Sequence, residues 1–466
     1  MPEKFDVVVI GAGPAGYVAA IRAAQLKQKV AIIDRQWLGG VCLNVGCIPS
    51  KSLLKNAEVA HILRGRGREF GFSFDNLKLD YGAAVKRSRQ NSDRLVKGVG
   101  FLMKKNGITV YMGDARLVSP TSIAVAQEGK TVADLTASNI VVATGATTMV
   151  PASWKIDAEK VITYVEAILQ ERLPKSVIII GSGAIGVEFA TIWSSYGVDV
   201  TIVEMLPRLV PLEDEEVSKE LEKAFKKRGI KCLVGTRVES VESSRSGARV
   251  RVAADGAESV LEADQALVAI GFRPNSKGFG LEQVGVRLDE RGFVEINDKM
   301  QTSVPNIWAI GDVTGKLMLA HVGSAMGIVA AENIVGVETV TLNFQMMPRA
   351  TYCDPQIASF GLTEAQATER GYSFKVGRFP FQANGKALGL GDYAGWVKIL
   401  RDDKYGEILG AHMIGPEVTE LLPELTLAHL MELTPHEIAR NVHAHPSLSE
   451  VLAEAAHAAE GAPIHI

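Results

Sequence analysis

The chain contains two copies of one unit, in which an apolar strand runs into a glycine-rich turn and a helix-forming segment. The first turn follows residues 5–10 and the second follows residues 177–180. A second apolar segment then ends in an acidic residue, Asp34 in the first copy and Glu204 in the second. The offset is 170 residues for both features, from position 11 to 181 and from 34 to 204. The repeat predicts two nucleotide-binding folds, whereas glycines that serve only ordinary turns would not recur at one offset.

The residue types within each turn match the contacts that a dinucleotide requires. The first glycine allows a tight turn, the second lets a pyrophosphate approach the backbone, and the third lets the helix pack on the strand. The helix N-terminus then faces the phosphates, and the acidic residue can hold the ribose hydroxyls. The predicted contacts are Gly11, Gly13, Gly16 and Asp34 in the first unit and Gly181, Gly183, Gly186 and Glu204 in the second.

Two of the four cysteines, Cys42 and Cys47, follow closely after the first unit. Paired thiols beside a nucleotide site indicate redox catalysis. A straight helix would place residues five apart about 140° around its axis, so a disulfide here requires a distorted backbone, which Gly46 and Pro49 allow. A strained disulfide is easier to reduce than a structural one. The alternative is a pair of buried, inert thiols.

Composition excludes several classes of protein. The chain has 466 residues, of which 47% are hydrophobic and 22% charged, as is typical of an enzyme with several domains. Its net charge of −3 gives no reason to expect binding to nucleic acid or to a membrane. Cys232 and Cys353 have no cysteine or histidine nearby at metal-ligand spacing, so no metal site is expected. We expect a cytoplasmic protein, or a mitochondrial matrix protein in mature form.

The position of the cysteine pair assigns the two nucleotides. The first unit leads directly to the cysteines, so its cofactor should exchange electrons with sulfur, and a flavin can take two electrons from a dithiol and pass on a hydride. FAD is therefore predicted at Gly11 and a nicotinamide nucleotide at Gly181. The Glu204 carboxylate would repel the 2′-phosphate of NADP, which favours NAD. Arg208, four residues later, is the counter-argument.

Three further apolar strands indicate how the chain moves between the two units. The first strand leads to Thr144 and Gly145, expected beside FAD, and the second leads to Gly271, expected beside NAD. A third strand, residues 306–310, returns the chain to the first unit. The NAD domain is thus expected to be inserted in a discontinuous FAD domain. The predicted division is an FAD-binding domain of residues 1–148 and 276–343, an NAD-binding domain of 149–275 and a C-terminal domain of 344–466.

Across nearly its whole length the chain resembles the class I pyridine nucleotide-disulfide oxidoreductase family. The resemblance depends on residues 11–16, 39–51, 181–188, 311–312 and 443–450. It implies an α/β fold with two Rossmann-like dinucleotide-binding domains, for FAD and NAD, and an α+β C-terminal dimerisation domain.

The family pattern also implies roles for residues around the flavin. Asp312 should bind the ribityl chain of FAD, and Ala320 and His321 should begin a helix that points at the flavin. Lys51 should lie close to flavin N5 and pair with Glu188, where the flavin and nicotinamide rings meet.

The family pattern selects His445, rather than His443, as the base that deprotonates a dithiol substrate. A histidine suits this role because a thiol attacks as the thiolate and is largely protonated near neutral pH. Glu450 can orient the histidine ring and stabilise its charged form. The family pattern implies a homodimer in which the base comes from the partner subunit.

The resemblance further implies an activity, the oxidation of dihydrolipoyl groups with reduction of NAD to NADH. Cys42 would be attacked by the substrate and Cys47 would face the flavin. The expected partner is the lipoyl domain of a dihydrolipoyl acyltransferase or a glycine-cleavage carrier protein. One alternative is a glutathione-type reductase, which is expected to carry basic residues near position 204. Another is a mercuric reductase, which is expected to carry a terminal cysteine pair. A third is a flavoprotein scaffold that serves mainly to dock within a complex.

Overall fold

The computed structural model describes residues 2–466. The strands are β1 Glu3–Ile10, β2 Val30–Asp34, β3 Thr109–Met112, β4 Asp114–Ser119, β5 Ser122–Gln127, β6 Lys130–Val142, β7 Ala146–Thr148, β8 Val161–Ile162, β9 Ser176–Ile180, β10 Asp199–Val203, β11 Lys231–Leu233, β12 Arg237–Ser243, β13 Ala248–Ala254, β14 Ala257–Ala263, β15 Gln265–Val268, β16 Phe272–Pro274, β17 Ile307–Ala309, β18 Arg349–Thr351, β19 Gln356–Gly361, β20 Phe374–Pro380, β21 Trp396–Asp402 and β22 Ile408–Gly415. The α-helices are α1 Pro14–Gln25, α2 Gly40–Val45, α3 Cys47–His61, α4 Tyr81–Lys105, α5 Tyr164–Leu169, α6 Ala184–Tyr196, α7 Glu215–Lys227, α8 Ala320–Val335, α9 Glu364–Glu369, α10 Gly385–Leu390, α11 Val418–Leu430, α12 Pro435–Arg440 and α13 Glu450–Ala459.

The first glycine turn lies at the carboxyl end of a strand in a seven-stranded sheet. The order is β3-β2-β1-β6-β5-β4, with β17 also paired to β6. Strands β1, β2, β3, β6 and β17 are parallel, whereas β4, β5 and β6 pair in antiparallel fashion. The continuous apolar run at the end of β1 is buried because helices cover a parallel sheet on both faces.

The second glycine turn lies at the equivalent place in a separate sheet. Its five strands are all parallel, in the order β11-β10-β9-β15-β8. Strand β9 leads into α6 as β1 leads into α1, so the repeat seen in the sequence is a repeat of structure. A three-stranded antiparallel sheet, β12-β13-β14, packs beside it around buried Val241, Val250 and Val252.

A short antiparallel pair, β7 with β16, joins the two units where the chain leaves the first and returns to it. The return continues to β17, which pairs with β6 in parallel from Ile307 to Ala309. The third apolar strand found in the sequence therefore does rejoin the first sheet.

The C-terminal part of the chain is a five-stranded antiparallel sheet in the order β18-β19-β22-β21-β20. Helices α11 and α13 pack on it around buried Phe360, Phe379 and Leu452. This is an α+β arrangement, so the predicted fold class is confirmed. Among residues 2–466, no helix is both long enough and apolar enough to cross a membrane.

Candidate functional site

The first glycine turn leaves an open approach to the start of α1. Gly11 has φ +105°, and a Cβ there would lie 2.2 Å from the Ala143 carbonyl oxygen. A Cβ on Gly16 would lie 1.9 Å from the Gly11 carbonyl oxygen, so only glycine lets the helix pack this closely. A Cβ on Gly13, by contrast, would meet no atom within 4 Å. The backbone at Gly13 is therefore free to be approached from outside.

The second turn repeats this geometry. A Cβ on Gly181 would lie 2.4 Å from the Ala269 carbonyl oxygen and one on Gly186 would lie 2.1 Å from that of Gly181, whereas Gly183 has open space. Gly13 and Gly183 precede their helices with the same backbone angles, φ −67° and ψ −179°. Neither helix start has a side-chain cap. Both therefore fit an anion bound by backbone N–H groups.

The two acidic residues also occupy equivalent positions. Asp34 Oδ2 accepts a hydrogen bond from the Ala12 N–H at 2.7 Å, and Glu204 Oε2 accepts one from the Ser182 N–H at 2.8 Å. The second oxygen of Glu204 accepts from the Leu206 N–H at 2.8 Å. A carboxylate has capacity for further donors, so these contacts orient each acid beside its turn and leave it able to hold ribose hydroxyls.

Arg208, the residue that could have favoured NADP, hydrogen-bonds within its own loop. Its Nη2 donates to the Pro211 carbonyl oxygen at 3.0 Å.

The segments that follow strands β6 and β16 are hydrogen-bonded to each other. Thr144 Oγ1 donates to the Asn275 carbonyl oxygen at 2.6 Å, and Asn275 Nδ2 donates to the Thr144 carbonyl oxygen at 3.0 Å. Gly145 and Gly271 have positive φ angles of +71° and +119°. A Cβ on Gly145 would meet no atom within 4 Å, and one on Gly271 would lie in ordinary contact with Met149 Cε at 3.8 Å. Sequence reasoning missed Asn275 because its contact with Thr144 spans 131 residues.

The cysteine pair lies at a break between two helices. Helix α2 ends at Val45 and α3 begins at Cys47, so the required distortion occurs at Gly46. A Cβ on Gly46 would lie 2.9 Å from the Val41 carbonyl oxygen. Pro49 falls within the first turn of α3, where a missing N–H is tolerated, and does not cause the break.

The first nucleotide turn holds the start of the cysteine segment. The Gly39 N–H donates to the Ala12 carbonyl oxygen at 2.9 Å, and a Cβ on Gly40 would lie 2.5 Å from Gly13 Cα. This contact ties the cysteines to the part of the chain predicted to hold FAD.

The two thiols are free, and each shifts the pKa of the other. Interaction with the Cys42 thiol lowers the pKa of Cys47 to about 7, burial opposes this, and the nearby Lys51 cation lowers it further. The pKa of Cys42 is raised, by the same interaction and by burial. Cys47 is therefore the sulfur that carries negative charge most easily.

Lys51 and Glu188 form the ion pair that the family pattern implied. Lys51 Nζ lies 3.0 Å from Glu188 Oε1 and 2.9 Å from Oε2. Burial opposes the charge on Lys51, but the Glu188 carboxylate outweighs it and raises the pKa of Lys51. The pair joins α3 to α6, and so brings the two nucleotide units together beside the cysteines.

A third residue, Tyr352, completes this contact and was not found in the sequence. Its N–H donates to Glu188 Oε1 at 3.0 Å, and its ring lies 4.5 Å from Lys51 Nζ in a cation–π arrangement. Nothing local to Tyr352 indicates these contacts. Two basic residues of α4 that also escaped notice brace the helix pair, since Arg89 donates to the Asn44 carbonyl oxygen and Arg87 donates to Ser52 Oγ at 3.0 Å.

Asp312 lies in a short 3₁₀ helix, Gly311–Thr314, beside the first glycine turn, where Gly311 approaches Ala15. Burial raises the pKa of Asp312 to about 6. Among residues 2–466 its carboxylate has no hydrogen-bond partner, so the site fits a hydroxyl-bearing ligand such as the ribityl chain of FAD.

Helix α8 begins at Ala320, which is where the family pattern places a helix start. The ring of His321 is exposed, and its Nε2 lies 2.8 Å from the Pro348 carbonyl oxygen.

The two histidines near the C-terminus have different surroundings. The His443 side chain is only 6% exposed, and its Nε2 lies 3.0 Å from Glu424 Oε1. The His445 side chain is 79% exposed, and its Nδ1 lies 2.8 Å from Glu450 Oε1. Burial raises the pKa of Glu450, but the Ser447 N–H and the His445 ring outweigh it and lower that pKa. Both rings are therefore oriented by a carboxylate, and the His445 ring is the exposed one of the two.

Comparison with known proteins agrees with this geometry. The family model for pyridine nucleotide-disulphide oxidoreductase matches residues 5–327, and the model for the dimerisation domain of that family matches residues 347–456. Dihydrolipoyl dehydrogenase of Mycobacterium leprae is 55% identical over 97% of this chain and 97% of its own length. The protein of that name from Bacillus subtilis is 40% identical over the whole of both chains.

Solved structures show the same architecture. LpdA of Mycobacterium tuberculosis superposes with a TM-score of 0.91 at 28% identity, covering 98% of this chain and 99% of its own. The HOCl-induced flavoprotein disulfide reductase RclA of Escherichia coli, as its Cu(II) complex, gives 0.87 at 26% identity, covering 98% of this chain and 99% of its own. The family models span nearly all of the two nucleotide units and the C-terminal sheet, and the chain belongs to the pyridine nucleotide-disulphide oxidoreductase family.

Proposed function

We infer that this chain is an NAD-dependent dihydrolipoyl dehydrogenase, which oxidises dihydrolipoyl groups and reduces NAD to NADH with FAD as its resident cofactor. One observation carries this conclusion. The Cys42 and Cys47 thiols lie between the first glycine turn and the Lys51–Glu188 ion pair, which reaches the second unit. Relatives that carry the same name, at 40% to 55% identity, match the chain nearly end to end.

The chain's own residues fit both nucleotides. When bound, FAD supplies the two-electron carrier between the dithiol and NAD, which accepts a hydride. We propose that FAD is held by Gly11, Gly13, Gly16, Asp34, Lys51, Thr144, Gly145, Asp312, Ala320 and His321, and NAD by Gly181, Gly183, Gly186, Glu188, Glu204 and Gly271.

Glu204 supports NAD rather than NADP as the nucleotide. Glu204 is only 8% exposed, and its carboxylate is fixed by hydrogen bonds from Ser182 and Leu206. A 2′-phosphate would bring a second negative charge against this buried carboxylate, whereas a free 2′-hydroxyl would donate to it.

Thiol exchange begins with Cys42 and Cys47 joined in a disulfide. His445 of the partner subunit takes the proton from one substrate thiol, and the resulting thiolate attacks the Cys42 sulfur. The disulfide bond breaks and Cys47 leaves as the thiolate, which its low pKa and Lys51 favour. The second substrate thiol then attacks the substrate sulfur bonded to Cys42, and the mixed disulfide breaks. Cys42 leaves and takes up the proton of the second thiol, so the oxidised substrate is released and both cysteines are reduced. Glu450 stabilises the charged histidine.

The dimerisation domain supports a homodimer, and we propose that each site of this dimer combines residues of two subunits. Helix α11 offers an apolar outer face, since Leu427 is 58% exposed and Leu430 is 75% exposed. We further propose a cytoplasmic location, the domain division 1–148 with 276–343, 149–275 and 344–466, and a lipoyl domain of an acyltransferase or a glycine-cleavage carrier protein as the partner.

Steady-state assays test the function directly. The purified holoenzyme should oxidise dihydrolipoamide with NAD and prefer NAD strongly over NADP, and Cys42→Ser should lose this activity while it keeps FAD. Reduction of glutathione disulfide by NADPH without any turnover of dihydrolipoamide would overturn the assignment.

A further inference from the structure

Five polar side chains form a row across the C-terminal sheet. Adjacent strands pair them directly, Arg349 with Ser359, Ser359 with His412, His412 with Lys398 and Lys398 with Arg378. Because paired residues of neighbouring antiparallel strands point to the same face, all five lie on one side of the sheet. We call these five residues the basic row, after its charged members Arg349, Lys398 and Arg378.

The basic row faces the acidic start of α7, which belongs to the second nucleotide unit. Lys398 Nζ lies 2.7 Å from Asp214 Oδ1 and 2.8 Å from Glu216 Oε2, and Arg378 also pairs with Glu216. Glu213 completes the contact, because its Oε2 accepts a hydrogen bond from Ser359 Oγ at 2.5 Å. The second nucleotide unit is thus joined to the C-terminal sheet by charge.

Lys398 is the centre of this contact. Its side chain is fully buried, with 0% exposed, and a third carboxylate, Glu364 of α9, lies 2.6 Å from Nζ. Asp214 is also buried, with a side chain 4% exposed. Removing one partner of such a group leaves an uncompensated buried charge, which is much more disruptive than neutralising both partners.

The acidic start of α7 is one end of the segment that borders the predicted NAD site. That segment, residues 204–214, begins at Glu204, which Ser182 of the glycine turn holds at 2.8 Å. The Val210 N–H donates to the Ser182 carbonyl oxygen at 3.2 Å, and the segment ends at Asp214 on Lys398. One end is therefore fastened to the glycine turn and the other to the basic row.

We propose that Lys398 is a positioning residue for NAD. It holds the 204–214 segment in the place where this segment can bind the nucleotide. Lys398 acts through its ion pairs with Asp214 and Glu216. This inference rests on the proposed function, in that NAD is the nucleotide bound beside Glu204. It assigns part of NAD affinity to a residue of the C-terminal sheet.

The test is Lys398→Met in the holoenzyme, with NAD and NADH binding measured by titration and the KM for NAD and for dihydrolipoamide measured separately. If the loss of Lys398 reduces the fraction of molecules with a correctly placed segment to about a tenth, the apparent Kd for NAD rises about tenfold. The KM for dihydrolipoamide and the FAD content should stay at the wild-type value. Lys375→Met is the matched control, because Lys375 is an exposed lysine of the same sheet outside the row.

A second variant keeps the test decisive if Lys398→Met folds poorly. Asp214→Asn removes the charge but keeps the N-cap of α7, since asparagine also caps helices well. We expect a smaller rise in the NAD Kd from Asp214→Asn alone, and partial recovery of NAD affinity in Lys398→Met combined with Asp214→Asn.

Unchanged NAD affinity in both single variants would overturn the proposal, and so would an equal loss of NAD binding, FAD content and dihydrolipoamide KM, which marks a purely structural role. A wild-type enzyme that binds no NAD would instead overturn the proposed function.

Discussion

Gly183→Ala should weaken NAD binding while it leaves the fold intact. Gly183 has φ −67° and ψ −179°, which alanine adopts readily, and a Cβ there meets no atom within 4 Å. The cost to folding is that of alanine in place of glycine before a helix, at most about 1 kcal/mol. The protein without NAD therefore has room for the methyl group.

The methyl group does occupy the space through which a pyrophosphate would reach the first turn of α6. A hydrogen bond to a charged group contributes about 1.5–3 kcal/mol, so losing one backbone contact to the phosphate would raise the Kd for NAD by about 10- to 150-fold. FAD binding should not change, since the first turn is untouched.

Gly186→Ala is the matched control in the same turn. Its Cβ would lie 2.1 Å from the Gly181 carbonyl oxygen, far inside ordinary contact, so helix and strand must separate. Overpacking of this kind costs about 1–3 kcal/mol, and we expect a lower thermal midpoint as well as weaker NAD binding.

NADH titration followed by fluorescence, together with thermal unfolding of each holoenzyme, separates the two variants. Wild-type NADH affinity in Gly183→Ala would refute the reasoning, because it would mean that the open space at Gly183 is not where the pyrophosphate lies. Wild-type stability in Gly186→Ala would show that the close packing of α6 on β9 is not needed.

Three further predictions concern the redox site. His445→Gln should slow oxidation of dihydrolipoamide by about 10²-fold or more without loss of FAD, as is usual when a general base is removed, and near-normal turnover would mean that another group takes the proton. The long-wavelength absorption of the two-electron-reduced enzyme should fade as the pH falls through about 7, because the Cys47 thiolate becomes protonated, and Lys51→Met should move the midpoint upward by removing a stabilising cation. Persistence of the band in Cys47→Ser would contradict this assignment. The apoprotein should bind FAD less tightly as the pH falls through about 6, because a protonated Asp312 accepts hydrogen bonds poorly, and Asp312→Asn should remove this pH dependence; an identical pH profile in the variant would place the titrating group elsewhere.

The fold and much of the site could be predicted because they depend on local patterns. Glycines at three fixed positions and an acid after the next strand specify a nucleotide unit wherever they occur, so the repeat at Gly11 and Gly181 revealed two such units. The chemistry of the cysteines followed from their place after the first unit. In each case the residues that make the contact lie within one short stretch of chain.

Contacts between distant stretches could not be predicted in the same way. Tyr352 meets Glu188 across 164 residues, and no pattern around either residue indicates it. The assignment of charge to Cys47 rather than Cys42 needed the positions of the thiols relative to Lys51. In the sequence Lys398 is an ordinary lysine in an apolar strand, and only the folded structure shows that it is buried among the carboxylates of α7 and α9.

The His445 side chain is exposed, and if it serves the partner subunit as proposed above, inactive subunits can restore each other. Each site would draw its thiols from one chain and its base from the other, so a mixed dimer of Cys42→Ser and His445→Gln subunits would gather both lesions in one site. The other site would be intact. One inactive and one strongly impaired preparation would therefore regain turnover when their subunits exchange, at a rate that reports how fast the dimer dissociates.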